Sequence, residues 1–250
     1  MTSATVADHE LARTVAHGAG QLLLELRQRL SREGCDPDVL RSQGDHRSQV
    51  WIAGQLARHS PDDAVLSEEA EDSPERLRAT RVWVVDPLDG TREFGEPGRR
   101  DWAVHVALVI AGAPCAGAVA LPAAGVTIGT AAPPPRPPRR TGPPRLLVSR
   151  SRPPAEARIL VDRLGAQCVP MGSAGAKAMA VVLGDGDIYA HSGGLYEWDA
   201  AAPMAVAAAA GLHVSRLDGS PLRYNQPSPW LPDLLICRPH LTAQVLAALE

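Results

Sequence analysis

Apolar residues recur at helical spacing from Val6 to Leu30 (Leu11, Val15, Leu22, Leu26, Leu30) with strong helix formers between them, which predicts one long amphipathic helix. A second helix is expected from His46 to Arg58, followed by a Pro-Asp-Asp turn and a short strand, Ala64 to Ser67. Val82-Trp83-Val84-Val85 is a compact, largely β-branched run ended by Asp86-Pro87, the pattern of a buried strand that stops in a loop. Trp102 to Ile110, Ala116 to Leu121 and Val126 to Thr130 are short apolar or alternating stretches divided by Gly and Pro, as in an antiparallel meander.

The pattern then breaks. Between Pro133 and Pro144 seven of twelve residues are Pro, a run that cannot donate to a sheet ladder and favours extended geometry. It reads as an exposed connector between an N-terminal half, 1–132, and a C-terminal half, 145–250. The second half offers a strand (Leu146 to Ser149), helices (Pro154 to Leu164 and Ala174 to Leu183) and a strand (Asp187 to Ala190). A helix from Trp198 to Ala210, a strand from Leu234 to Cys237 and a closing helix from Thr242 to Leu249 follow. Helices and strands alternate in both halves, so the expected class is α/β or α+β, with no fixed-period repeat.

Composition narrows the function classes. A net charge of -3 gives no basic field to draw the chain onto a nucleic acid polymer. No run approaches the length of a membrane span, and the N-terminus, with Asp8 and Glu10, lacks the basic and apolar regions of a signal peptide. A cytoplasmic enzyme or binding protein is therefore expected. The four cysteines lie far apart, which argues against a zinc site or a disulfide scaffold. Of 25 Lys and Arg residues only Lys177 is a lysine, so a compact ammonium stands where the wide arginine fork would otherwise be the rule.

The chemistry concentrates in Asp86-Pro87-Leu88-Asp89-Gly90-Thr91. A strand delivers Asp86, a proline turns the chain, and a second carboxylate and the free carbonyl of Leu88 can converge on one point. An Asp-Pro turn with an Asp cap explains either acid alone; it does not explain both together with Gly and a hydroxyl. Hard divalent cations take such oxygen ligands, and the Gly90 and Thr91 amides at a helix start would meet a phosphate. Ser67-Glu68-Glu69 after a strand, Glu197-Trp198-Asp199 at a helix start, and Asp45 just before a helix supply enough further acids for a cluster of two or three metals.

Glu68-Glu69, then DPLDGT, then WDAAAP resembles the inositol monophosphatase superfamily of Mg2+-dependent, lithium-sensitive phosphatases over nearly the whole chain. Within it, DPLDGTREF and EWDAAAP are most similar to the CysQ-type 3'-phosphoadenosine 5'-phosphate phosphatases. The resemblance implies a layered α-β-α-β-α sandwich, with Glu68, Asp86 and the Leu88 carbonyl on a first metal and Asp86, Asp89 and Asp199 on a second. It also implies that Thr91, polarised by Asp45, orients the attacking water with help from Glu68. Two positions depart from the family: Ser42-Gln43-Gly44 precedes Asp45 where a Thr-x-Ala-Asp run is usual, and Tyr189-Ala190-His191 stands where the nucleotide-specific relatives carry Tyr-x-Arg. Gly172-Ser173-Ala174-Gly175-Ala176-Lys177 fits a substrate loop running into a helix, with Lys177 on a second phosphate and His191 nearby.

The expected activity is hydrolysis of the 3'-phosphate of 3'-phosphoadenosine 5'-phosphate with Mg2+, inhibited by Li+. Alternatives at the same site are an inositol monophosphate, fructose 1,6-bisphosphate or another nucleotide or sugar phosphate. From a different class, an anion-sensing binding protein on this fold is disfavoured by clustered acids, since a binder needs positive charge. The partner is a small phosphorylated metabolite, and the resemblance adds a homodimer.

Overall fold

The computed structural model describes residues 3–250. Strands β1 (Ala64–Ser67), β2 (Arg81–Asp89), β3 (Ala103–Ile110), β4 (Ala113–Leu121) and β5 (Val126–Gly129) form one sheet in sequence order. Strands β6 (Arg145–Ser149), β7 (Gln167–Met171), β8 (Ile188–Tyr196), β9 (His213–Ser215) and β10 (Trp230–Cys237) form a second, ordered β7-β6-β8-β10-β9. The Pro-rich segment links the last strand of one to the first strand of the other.

Side-chain alternation distributes the strands over three layers of apolar packing. Trp83, Val85, Val104, Val106 and Leu108 meet α1 (Val6–Arg32) and α2 (Pro37–His59) on the outer face of the first sheet. Val82, Val84, Ala107 and Val109 face the other way, onto α5 (Ala174–Leu183) and α6 (Glu197–Ala209), which also cover Leu147, Tyr189, Leu234 and Ile236 of the second sheet. Leu146, Val148, Ile188, Ala190 and Leu235 complete a third layer with α4 (Ala155–Leu164) and α7 (Thr242–Leu249). The result is the expected α-β-α-β-α sandwich. Burial on both faces is why β2 reads as an unbroken apolar run. Small residues let α6 lie close between the sheets: a Cβ on Gly117 would come within 3.4 Å of Ala202 and Ala205.

Several boundaries differ from the sequence pattern. The second helix begins at Pro37, capped by Asp36 and with proline in the first turn, so Asp45 lies inside α2 and not ahead of it. Gly44 reads as a breaker, yet it allows α2 to close on the fold: a Cβ there would stand 2.7 Å from Phe94 and 2.8 Å from Leu88. Strand β2 continues through Asp86-Pro87 to Asp89, and β8 runs on to Tyr196. Strands β7 and β9 escape the pattern because β7 is largely exposed at the sheet edge and contains Pro170, while β9 has three residues. All four cysteines are free. No helix among the described residues is long and apolar enough to cross a membrane.

Candidate active site

The end of β2 is built to turn carboxylates inward. Its pairing with β3 shifts between Asp86 and Asp89, a bulge at the point where Pro87 has no N–H to give. The Pro87 carbonyl accepts instead from Ser48 Oγ of α2 at 2.6 Å, and the Leu88 amide donates to Asp86 Oδ1 at 3.1 Å. Gly90 then takes φ +86°, and a Cβ there would press at 3.1 Å on both Asp101 O and Ser173 Cβ. One turn of helix, α3 (Thr91–Gly95), follows, fixed by fully buried Phe94 set edge-on to Trp102 at 5.0 Å.

Three other elements bring their acids to this point, and a fourth, α5, holds the second acid of β2. Glu68 follows β1; the residue as a whole is exposed, but its carboxyl end is partly buried and close enough to Asp199 and Asp89 to feel their charges. Asp199 stands in the first turn of α6 and accepts from the Tyr196 amide at 2.7 Å. Asp45, on α2, accepts from Thr91 Oγ1 at 3.3 Å, and the same hydroxyl lies 2.9 Å from the Leu88 carbonyl. Asp89 rests on the start of α5, accepting from Ser173 Oγ at 2.5 Å, the Gly175 amide at 2.7 Å and the Ala174 amide at 3.1 Å.

Crowding sets the charge states. Burial, reinforced by Glu69, pushes Asp45 up to about 7, and the Thr91 bond only partly opposes it. Burial and the neighbouring Asp199 do the same to Glu68, to about 7; burial and Asp89 raise Asp199 to about 7; burial and Glu68 hold Asp86 well above the ordinary carboxylate range. Asp89 goes the other way: burial would raise it, but His105, with Nε2 at 3.2 Å, and then Ser173 and Lys177 bring it to about 2. The ligand atoms of Asp86, Asp89 and His105 lie within 4.8 Å of one another. A set dominated by carboxylate oxygens, with mutual repulsion left over, fits a hard divalent cation.

These shifts give a first prediction. In metal-free protein, Asp45, Glu68 and Asp199 stay protonated in the fold at pH values where the unfolded chain has ionised them. The folded chain then binds more protons, so their stabilisation is complete below the ordinary values of 3.8 for Asp and 4.5 for Glu and is lost as pH rises through about 7. Asp89 has the opposite sign and matters only as pH falls toward 2. With EDTA, Tm should fall between about pH 5 and about pH 8, less steeply in Asp199→Asn, and Mg2+ should restore most at the higher pH. Equal slopes in parent and variant would contradict this electrostatic picture.

A cleft of about 520 Å³ opens over Asp89 and Asp199, lined also by Gly90, Gly172, Ser173, Lys177 and His191. The structure thus gathers every sequence-predicted position into one neighbourhood, with two changes of emphasis. Glu197 turns away to accept from the Asn225 and Gln226 amides at 2.6 and 2.8 Å, so it fastens a loop. Lys177 is buried, and its ammonium donates to the carbonyls of Ser173 at 2.5 Å and Gly172 at 3.3 Å, bracing the loop that carries Ser173. His191 is pushed down chiefly by burial and then by Lys177; its Nδ1 is buried without a partner, as is the Tyr189 hydroxyl behind it.

Sequence reasoning missed His105, which lies in an apolar strand; its one signal is a polar residue where the alternation demands an apolar one. It also missed the cationic wall. Arg92 and Arg152 line the cleft and are exposed, with no ion pair among the described residues, whereas Arg150 is taken by Glu93 at 2.7 Å and Glu96 at 2.8 Å.

The chain matches the profile of the inositol monophosphatase family over residues 7–132 and 145–250, the gap coinciding with the Pro-rich segment. It is 49% identical over 244 residues to the 3'-phosphoadenosine 5'-phosphate phosphatase of Mycobacterium tuberculosis (strain CDC 1551 / Oshkosh), covering 92% of this chain and 89% of that protein. It is 35% identical over 193 residues to the 3'(2'),5'-bisphosphate nucleotidase CysQ of Escherichia coli (strain K12), covering 72% of this chain and 78% of that one. Among solved structures, inositol monophosphatase II from Staphylococcus aureus MSSA476 superposes with a TM-score of 0.80 at 22% identity, covering 97% of this chain and 95% of that one.

Proposed function

The chain belongs to the inositol monophosphatase family, and on that premise we propose that it is a phosphomonoesterase removing the 3'-phosphate of 3'-phosphoadenosine 5'-phosphate to leave AMP and inorganic phosphate. The observation that carries this reading is that the guanidiniums of Arg92 and Arg152, without an ion pair among the described residues, line the same cleft as Asp89 and Asp199. A substrate with a single phosphate needs only the acids and the metal they would hold. A second phosphate gives the arginines an anion to hold.

Glu68, Asp86, the Leu88 carbonyl, Asp89 and Asp199 would hold two or three Mg2+ ions, which would supply charge neutralisation of the phosphate and Lewis-acid activation of water. The residues supply position and proton handling. Thr91 Oγ1 directs its proton to Asp45 or the Leu88 carbonyl and keeps lone pairs free to orient a water. Asp45, which accepts from that hydroxyl at 3.3 Å, can take its proton and return it. Ser173 and the start of α5 keep Asp89 ionised and aimed, Gly90 leaves the scissile phosphate room to approach the backbone, and Gly172 and His191 wall the nucleoside side. Lithium, small and hard but singly charged, should inhibit turnover where sodium at equal ionic strength does not.

The test compares two substrates that differ only in the second phosphate. For Arg92→Ser/Arg152→Ser, kcat/KM on 3'-phosphoadenosine 5'-phosphate should fall by about 10- to 100-fold, while 3'-AMP changes by less than about threefold. Equal losses on both would remove the arginines from recognition of the second phosphate and with them the main support for this substrate.

A further inference from the structure

A second cavity, of about 400 Å³, opens between the Pro-rich segment and the turn after β10, and it shares no lining residue with the catalytic cleft. Arg136, Arg139, Arg140, Arg238 and His240 line it against a single carboxylate, Asp187. That carboxylate is already paired: Arg145 Nε reaches Oδ2 at 3.1 Å, and the Arg145 amide reaches the same oxygen at 2.9 Å. Arg238 Nε stands 4.0 Å from Asp187 Oδ1. Although Arg238 is only 6% exposed, its guanidinium makes no hydrogen bond among the described residues. Arg238 lines the cavity, so its donors are open to an anion that enters it. Burial lowers its pKa, with Asp187 opposing and Arg145 and Arg136 adding to the effect.

The proline segment is seated so as to complete this cavity. Pro137 packs against the left-handed turn at Gly184, where a Cβ would meet it at 2.9 Å, and Arg136 lies over Gly211, where a Cβ would come 3.4 Å from its Nε. The arginine fork matches phosphate oxygens two at a time, and the volume exceeds that of a bare anion, with proline rings as an apolar wall. We propose that this cavity is an accessory site for a phosphate monoester, with Arg238 as the buried fork and Arg139 and Arg140 as the outer clamp.

Calorimetric titration of the full chain at fixed ionic strength, with inorganic phosphate and separately with AMP, tests it. Expected is a class of binding that Asp86→Asn retains, that Arg139→Ser/Arg140→Ser weakens at least about tenfold, and that Arg238→Met abolishes. Tighter binding of AMP than of phosphate would assign the organic portion to the proline wall, and equal binding would assign recognition to the phosphate alone. Arg139 and Arg140 are exposed, so their variant remains informative even where Arg238→Met does not fold. Superimposable isotherms for the parent and Arg139→Ser/Arg140→Ser, or displacement of phosphate by chloride at equal concentration, would overturn the proposal.

Discussion

Asp86→Asn is expected to fold as well as the parent and to lose turnover by at least about a hundredfold, because the proposed Mg2+ ions share this carboxylate as a ligand. The side chain is 1% exposed, and in the metal-free fold its ionisation is opposed by burial first and then by Glu68, Asp89 and Asp199. Asparagine keeps the shape and an oxygen that can still accept from the Leu88 amide, while removing a carboxyl whose ionisation this crowded site opposes. In EDTA the variant should therefore unfold at a temperature no lower than the parent's, and its response to Mg2+ should shrink. Retained activity above about a tenth of the parent would remove Asp86 from the centre of the chemistry. A large drop in metal-free Tm would instead make it a structural acid.

Gly175→Ala should be nearly as damaging for a steric reason. The added Cβ would stand 2.0 Å from His105 Nε2, and His105 is fully buried with Nδ1 on the Trp198 carbonyl at 3.1 Å, so neither side can give way cheaply. Helix α5 must shift at its first turn, where the Gly175 amide holds Asp89 at 2.7 Å. Overpacking of this kind costs about 1 to 3 kcal/mol of stability, and a displaced Asp89 should lower kcat/KM by at least about tenfold. Gly54→Ala, at an exposed α2 position with nothing within 4 Å of the new Cβ, is the control and should be neutral or slightly stabilising. Equal activity for the two variants would mean that the contact between α5 and Asp89 does not position the site.

The parts of the site legible in the sequence are those whose chemistry forces unusual residues next to one another. Asp86, Leu88, Asp89, Gly90 and Thr91 fall within one segment, and no simple turn requires all of them. Contacts between distant segments left weaker traces. His105 is one polar residue in a strand whose alternation is otherwise apolar, and only the fold shows that it lies beside Asp89. Asp45 follows a polar stretch containing Gly44 that resembles a loop, because the reason for that glycine, the approach of Phe94 and Leu88, is tertiary. Lys177 stood out by composition alone. Its burial and its bonds to Gly172 and Ser173 give it a bracing role that no local pattern encodes. The order of helices and strands was enough for the α/β or α+β class and the sandwich followed from the family resemblance, whereas the exposed edge strand β7 lacked the apolar alternation that marks the others.

Phosphate release by the purified chain from 3'-phosphoadenosine 5'-phosphate, from 3'-AMP and from inositol 1-phosphate, each with Mg2+ and again with EDTA, bears on the proposed activity most directly. The expected result is rapid release from the bisphosphate with AMP as the nucleotide product, slower release from both monophosphates, and loss of all three activities in EDTA. A higher kcat/KM on inositol 1-phosphate, or undiminished turnover in EDTA, would contradict it.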